Sequence, residues 1–450
     1  MIASINPFSG EVLKEFSSIA FSEVEEKIIR ADEAYHLWKK TSFDERNILM
    51  LKLGEIILSK KNELATLATL EMGKLILESG LELEKCARLC KYYSENAEEF
   101  LKEENVETDS AKSFIRYESM GVLLGVMPWN FPYWQVLRFA VPALMAGNVC
   151  LLKHASNVPQ CALEIEQLFI EAGFPKNSFQ TLMIESSAVE KVIAHPAVRG
   201  VSLTGSESAG SSVASIAGKH IKKSVLELGG SDPFVVLHDA DINLAVKNAM
   251  HSRMGNNGQS CIAAKRFIVS EKIVDEFTEK LKEKFLALKS GNPLEKTSQV
   301  TVMAREDLAS ELEEQVKKSV SLGAKINCGG LREAAFFQPT ILSNVKPGMP
   351  AFDEELFGPV AAIISFATEE EAIPLANNSE FGLGASVWTT DTERGIKLAA
   401  EIESGSVYVN ALMKSDQRLP FGGIKKSGYG RELSIAGIRE WVNVKSVMVG

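Results

Sequence analysis

The sequence predicts an α/β protein made of two doubly wound domains. Three observations carry that expectation. The chain has 450 residues, 45% hydrophobic and 24% charged, which is ordinary globular composition and long enough for two or three domains. From residue 122, short runs rich in Val, Leu and Ile alternate with amphipathic segments, the texture of a parallel sheet covered on both faces. The alternation then restarts beyond Gly229-Gly230, which divides the two sets.

The first hundred residues read as helices. Ser22 with Glu25, and Ser42 with Glu45, are spaced as capping boxes. Val24, Ile28, Ala31, Tyr35 and Trp38 fall on one helical face, and the pattern continues over 62–74 and 82–101. Strands follow at 122–126, 149–152, 179–184, 201–203 and 225–228, with helices at 159–172 and 208–217. The second set expects strands at 234–237, 267–269, 361–364, 386–388 and 407–409. Helices at 243–253, 274–288, 307–322 and 392–403 separate them.

Residues 121–152 contain a single charge, Arg138, and are long enough to suggest a membrane span. Pro128, Asn130, Pro132 and Pro142 interrupt the run, so it reads instead as a buried strand, a turn and a buried helix. The net charge of −10 without a basic stripe disfavours nucleic acid or an anionic membrane as partner. Six cysteines without CxxC pairing fit a reducing cytoplasmic setting, and the amino terminus lacks the features of a signal peptide. Cys86 and Cys90, one helical turn apart, are expected to share a buried face. The six histidines show no ligand spacing, so no metal site is expected.

Four segments carry chemistry. No GxGxxG follows a strand, but 201–210 runs from an apolar strand through Gly205-Ser206 into a helix, where amide groups can hold a pyrophosphate. Met127-Pro128-Trp129-Asn130-Phe131-Pro132 follows another strand and places an amide donor where an oxyanion could be held. Asn256-Asn257-Gly258-Gln259-Ser260-Cys261 is a polar, glycine-containing loop ending in a thiol, and Glu227 sits in an apolar run at a strand end. Each has a plain structural alternative: a turn, a proline-bracketed loop, an inert cysteine, a solvent-facing glutamate.

Together and in this order, with Glu354-Glu355-Leu356-Phe357-Gly358-Pro359 and the 420–432 segment, these motifs resemble the aldehyde dehydrogenase superfamily over essentially the whole chain. The resemblance implies a dinucleotide-binding domain at 1–104 and 120–229 and a catalytic domain at 230–435. Small oligomerisation segments at 105–119 and 436–450 would form a homodimer or homotetramer. It implies that Cys261 attacks an aldehyde, that Asn130 and the Cys261 amide hold the oxyanion, and that Glu227 activates the water that hydrolyses the thioester. Cofactor contacts are implied for Trp129, Lys153, Ser156, Gly205, Ser206, Glu355 and Phe357. Ser156 stands where NAD-preferring relatives often carry Glu; loss of that anion admits a 2′-phosphate, so NADP is expected, with NAD not excluded.

Arg138 matches the arginine with which succinate-semialdehyde dehydrogenases of this superfamily hold the substrate's distal carboxylate, and 129–153 is most like their bacterial members. The structural alternative is a buried arginine with a protein partner. Gly255 replaces a second substrate arginine of some relatives, leaving Arg253, Ser415 or Arg418 as substitutes. Ala263 replaces a cysteine of others, so no disulfide switch to Cys261 is expected. The competing functions are a broad aliphatic or aromatic aldehyde dehydrogenase and a thiol esterase or hydrolase without hydride transfer.

Overall fold

A computed structural model describes residues 2–450. Its first sheet has six strands in the order Gly428–Tyr429, Lys223–Glu227, Val198–Thr204, Val122–Met127, Val149–His154, Phe179–Thr181. All neighbours are parallel except Gly428–Tyr429. The chain enters at Val122, winds outward through Val149 and Phe179, then returns to Val198 on the other side. The order therefore reverses between the strands Val122–Met127 and Val198–Thr204, and the carboxyl ends there form the crevice in which α/β proteins bind ligands.

A second sheet of seven strands runs Lys325–Cys328, Thr340–Ser343, Val360–Phe366, Arg266–Ser270, Pro233–Val236, Gly384–Trp388, Ser406–Val409. It is parallel apart from its antiparallel Lys325–Cys328 edge. Buried apolar side chains cluster on both faces of this sheet, and a larger cluster surrounds the first. Phe421, Leu433, Ile438 and Trp441 join that larger cluster. The 421–433 segment, expected with the second unit, thus packs on the first, because Gly428–Tyr429 hydrogen-bonds beside Leu226 and Glu227.

The buried strand, turn and helix expected within 121–152 are Val122–Met127 and Trp134–Met145, and every residue of that helix is buried. Among the described residues no helix is long and apolar enough to cross a membrane. The Ser42 capping box forms: its hydroxyl accepts from the Glu45 amide at 3.2 Å and its own amide donates to Glu45 at 2.7 Å. The one expected at Ser22 does not. That helix, Phe21–Trp38, starts two residues earlier, with Ala20 rather than Ser22 as N-cap. A hairpin of Ile2–Ile5 and Val12–Phe16 precedes it where only helices were expected. Val442–Val449, Lys112–Ser119 and Glu104–Asn105 form a small antiparallel sheet.

Candidate active site

Strand register brings the separate motifs to one edge. Met127 lies opposite His154, Val126 opposite Leu203, and Thr204 opposite Glu227. Trp129-Asn130, Lys153, Gly205-Ser206 and Glu227 therefore leave the first sheet at the same end. Across the crevice a cavity of about 450 Å³ is lined by Trp129, Asn130, Gly205, Ser206, Cys261, Glu355 and Phe357, among others. Seven of the expected site residues thus share one cavity.

The Cys261 loop is held by amide side chains. Asn256 and Asn257 both have φ near +53°, a left-handed conformation that Asn tolerates better than most residues. Asn257 Nδ2 donates to the carbonyls of Thr301 and Val302 at 2.8 and 2.9 Å, and Asn256 Nδ2 donates to the Asn130 carbonyl at 2.9 Å. Gly258 has φ +74°, and a Cβ there would lie 2.2 Å from the Gly358 carbonyl oxygen. Beneath the loop the buried Lys265 ammonium donates to the carbonyls of Ser260 (2.9 Å) and Cys261 (2.7 Å) and pairs with Glu355 at 3.1 Å. Glu355 also accepts from the Gly230 amide at 3.1 Å. A cysteine, a lysine and the cleft carboxylate are thereby tied together. Lys265 was missed in the sequence because a lone lysine at a strand start carries no signal of its own.

Burial pushes the Cys261 thiol up to about 12, with Lys265 and Arg138 pulling the other way. Asn130 is buried; its Nδ2 donates to the Gln259 carbonyl at 3.1 Å, which leaves its second amide hydrogen free. The Cys261 N–H donates to no backbone carbonyl among the described residues. Glu227 is buried too, and neither of its oxygens has a hydrogen-bond partner. One of them packs so close to Gly422 that a Cβ there would lie 2.5 Å away. Burial, and then the neighbouring Glu432, hold its carboxyl well above the usual carboxylate range.

A dinucleotide fits the cleft. A Cβ at Gly205 would meet only Leu203, at 3.6 Å, so the protein leaves that space open. Ser206 N-caps the helix Glu207–Lys219. Lys153 is buried at the same edge, its pKa lowered by that burial, with no ion-pair partner among the described residues. Ser156 is exposed just beyond it. Trp129 and Phe357 meet edge to face at 5.9 Å across the crevice. Among the described residues no cluster of His, Cys, Asp or Glu could hold a metal ion.

Two of the expected substrate arginines have protein partners in this structure. Arg138 is buried and forms an ion pair with Glu432, donates to Thr204 Oγ1 at 3.3 Å, and lies 4.7 Å over the Phe421 ring. Its charge is thus paired inside the protein, as the structural alternative expects. Arg418 is exposed, forked onto Asp416 at 2.7 and 2.8 Å, and lines neither the cofactor cleft nor the cavity beside it. Arg253 is likewise occupied, donating to the Ala264 and Gly258 carbonyls. Ser415 is buried and accepts from Lys85, which sequence reading had not singled out.

A family model for the aldehyde dehydrogenase family matches residues 1–447. The chain belongs to the aldehyde dehydrogenase family. Among similar proteins, a probable succinate-semialdehyde dehydrogenase [NADP(+)] of Synechocystis sp. is 49% identical over all of this chain and 99% of its own length. Succinate-semialdehyde dehydrogenase [NADP(+)] 1 of Mycobacterium tuberculosis is 45% identical, covering 100% and 99%. The crystal structure of succinic semialdehyde dehydrogenase from Streptococcus pyogenes in complex with NADP+ matches with a TM-score of 0.98 at 38% identity, covering both chains completely. The doubly wound α/β architecture expected from the sequence is that of these aldehyde dehydrogenases.

Proposed function

We propose that this aldehyde dehydrogenase oxidises succinate semialdehyde to succinate, with NADP preferred to NAD. The observation that carries the chemistry is the shared cavity of Cys261, Asn130, Glu355 and the Gly205-Ser206 turn. The relatives' substrate and cofactor, and an exposed serine at position 156, support the specificity.

Cys261 Sγ, once deprotonated, adds to the aldehyde carbon, and the Asn130 side-chain amide and the Cys261 N–H donate to the oxygen that gains charge. Gly205, Ser206 and Lys153 would hold the dinucleotide's phosphates and ribose, while Glu355 and Phe357 would flank its nicotinamide half. When bound, that dinucleotide supplies the two-electron acceptor that turns the adduct into a thioester. Glu227 then takes a proton from water, whose oxygen adds to the thioester carbon. The carbon–sulfur bond breaks, releasing the acid and restoring the thiol.

The protein is further proposed to be cytoplasmic and a homo-oligomer, dimeric or tetrameric. Free rather than paired cysteines support the first. The Val442–Val449 strand, with Val444 and Met448 about 60% exposed, supports the second. Cofactor reduction followed by absorbance tests the activity. NADP should exceed NAD in kcat/KM with succinate semialdehyde, and a hundredfold preference for NAD, about 2.7 kcal/mol, would reject the cofactor reading. Ester hydrolysis without cofactor reduction would favour the thiol hydrolase instead.

A further inference from the structure

A second cavity, of about 300 Å³, lies behind the first. Consecutive residues separate them: Asn130 and Cys261 line the cofactor cleft, whereas Phe131, Ser260 and Ile262 line the second space. The second space thus adjoins Cys261 on the side away from the cofactor cleft, where the tail of an aldehyde whose carbon meets Cys261 has room. Among the lysines there, Lys74 is fully paired with Glu82 at 2.6 Å. Lys85 differs. It projects from the helix Ile76–Phe100, its Nζ 3.9 Å from the Trp134 ring centroid, and donates to Ser415 Oγ. No carboxylate forms an ion pair with it among the described residues. Glu78, two turns earlier on the same helix, is engaged by the Asn256 amide at 3.1 Å. The Trp134 indole N–H, in the same wall, has no acceptor.

We propose that Lys85, with Ser415 beside it, holds the distal carboxylate of the substrate, the role that sequence comparison suggested for Arg138. This deepens the succinate semialdehyde reading and rests on it. Lys85 forms no ion pair in this chamber, although Glu82 nearby favours its charge, and a ligand carboxylate supplies a direct partner for the half-buried ammonium. Burial draws Lys85 down to about 7, with the nearby Arg138 charge adding to the effect, and an anionic ligand reverses this. The four cations that could have competed are taken: Arg138 by Glu432, Arg418 by Asp416, Lys74 by Glu82, and Arg253 by backbone carbonyls.

The test measures kcat/KM for succinate semialdehyde and for butanal, in the presence of NADP, on the full-length enzyme and its Lys85→Met and Lys85→Arg variants. The native enzyme should prefer the carboxylated aldehyde. Lys85→Met should cut the ratio of the two kcat/KM values about 10- to 100-fold, the worth of one charge-assisted hydrogen bond, mainly through KM. Lys85→Arg should restore most of it. A ratio unchanged in Lys85→Met overturns the lysine assignment and leaves the substrate reading standing. A native enzyme without preference for the carboxylated aldehyde overturns that reading, and the clamp with it.

Discussion

At Glu227 the same features that make the carboxyl a usable base also keep it idle. Burial, and then Glu432 beside it, raise its pKa well above the ordinary carboxylate range, and only its ionised form can accept a proton from water. The base form grows as pH rises, so thioester hydrolysis should accelerate with rising pH, followed as steady-state cofactor reduction. Glu227→Gln should still give a first-turnover burst of reduced cofactor while losing steady turnover. Asn130→Ala should lower kcat by about 10²–10³ where oxyanion formation limits the rate. Arg138 obeys a different logic. Removing it strands Glu432 as a buried unpaired carboxylate, so Arg138→Met should destabilise the fold by about 3–5 kcal/mol in urea titration.

The Cys261 loop shows how an element can depend on a single backbone position. Gly258 combines positive φ with contact against Gly358, so Gly258→Ala should abolish soluble, folded enzyme, while the roomy Gly205 should accept Ala without loss of folding. Legibility in the sequence follows local cause. The helix Pro159–Ala172 could be read to the residue, because Pro159 starts it and Gly173, at φ +91°, ends it. Cys86 and Cys90 share a buried helix face, as their spacing implied. The amino-terminal hairpin could not be read: its strands are short and Val12–Phe16 is largely exposed, so no alternation marks it. The Lys325–Cys328 edge is hidden for the same reason. Cys261, Asn130 and Glu355 were legible through ordered motifs. The partner of Arg138 was not, since Glu432 reaches it only through the tertiary fold. Lys85 was hidden too, as one more lysine on an amphipathic helix.

For the whole molecule, two sheets meet with their active edges facing, and the site exists only in that meeting: the first supplies Asn130, Gly205 and Glu227, the second the segments around Cys261 and Glu355. The carboxyl-terminal strand ties the small sheet together by pairing along the whole of Lys112–Ser119. Truncation before Val442 should therefore lower the oligomeric state in light-scattering chromatography. An unchanged mass would remove the strand from the proposed interface.

Covalent capture bears most directly on the chemistry. Glu227→Gln protein would be mixed with NADP and succinate semialdehyde, quenched after one turnover, digested and weighed by mass spectrometry. A succinyl group on the peptide carrying Cys261 is the result expected. Formation of succinate with Cys261 never modified would contradict the thioester route.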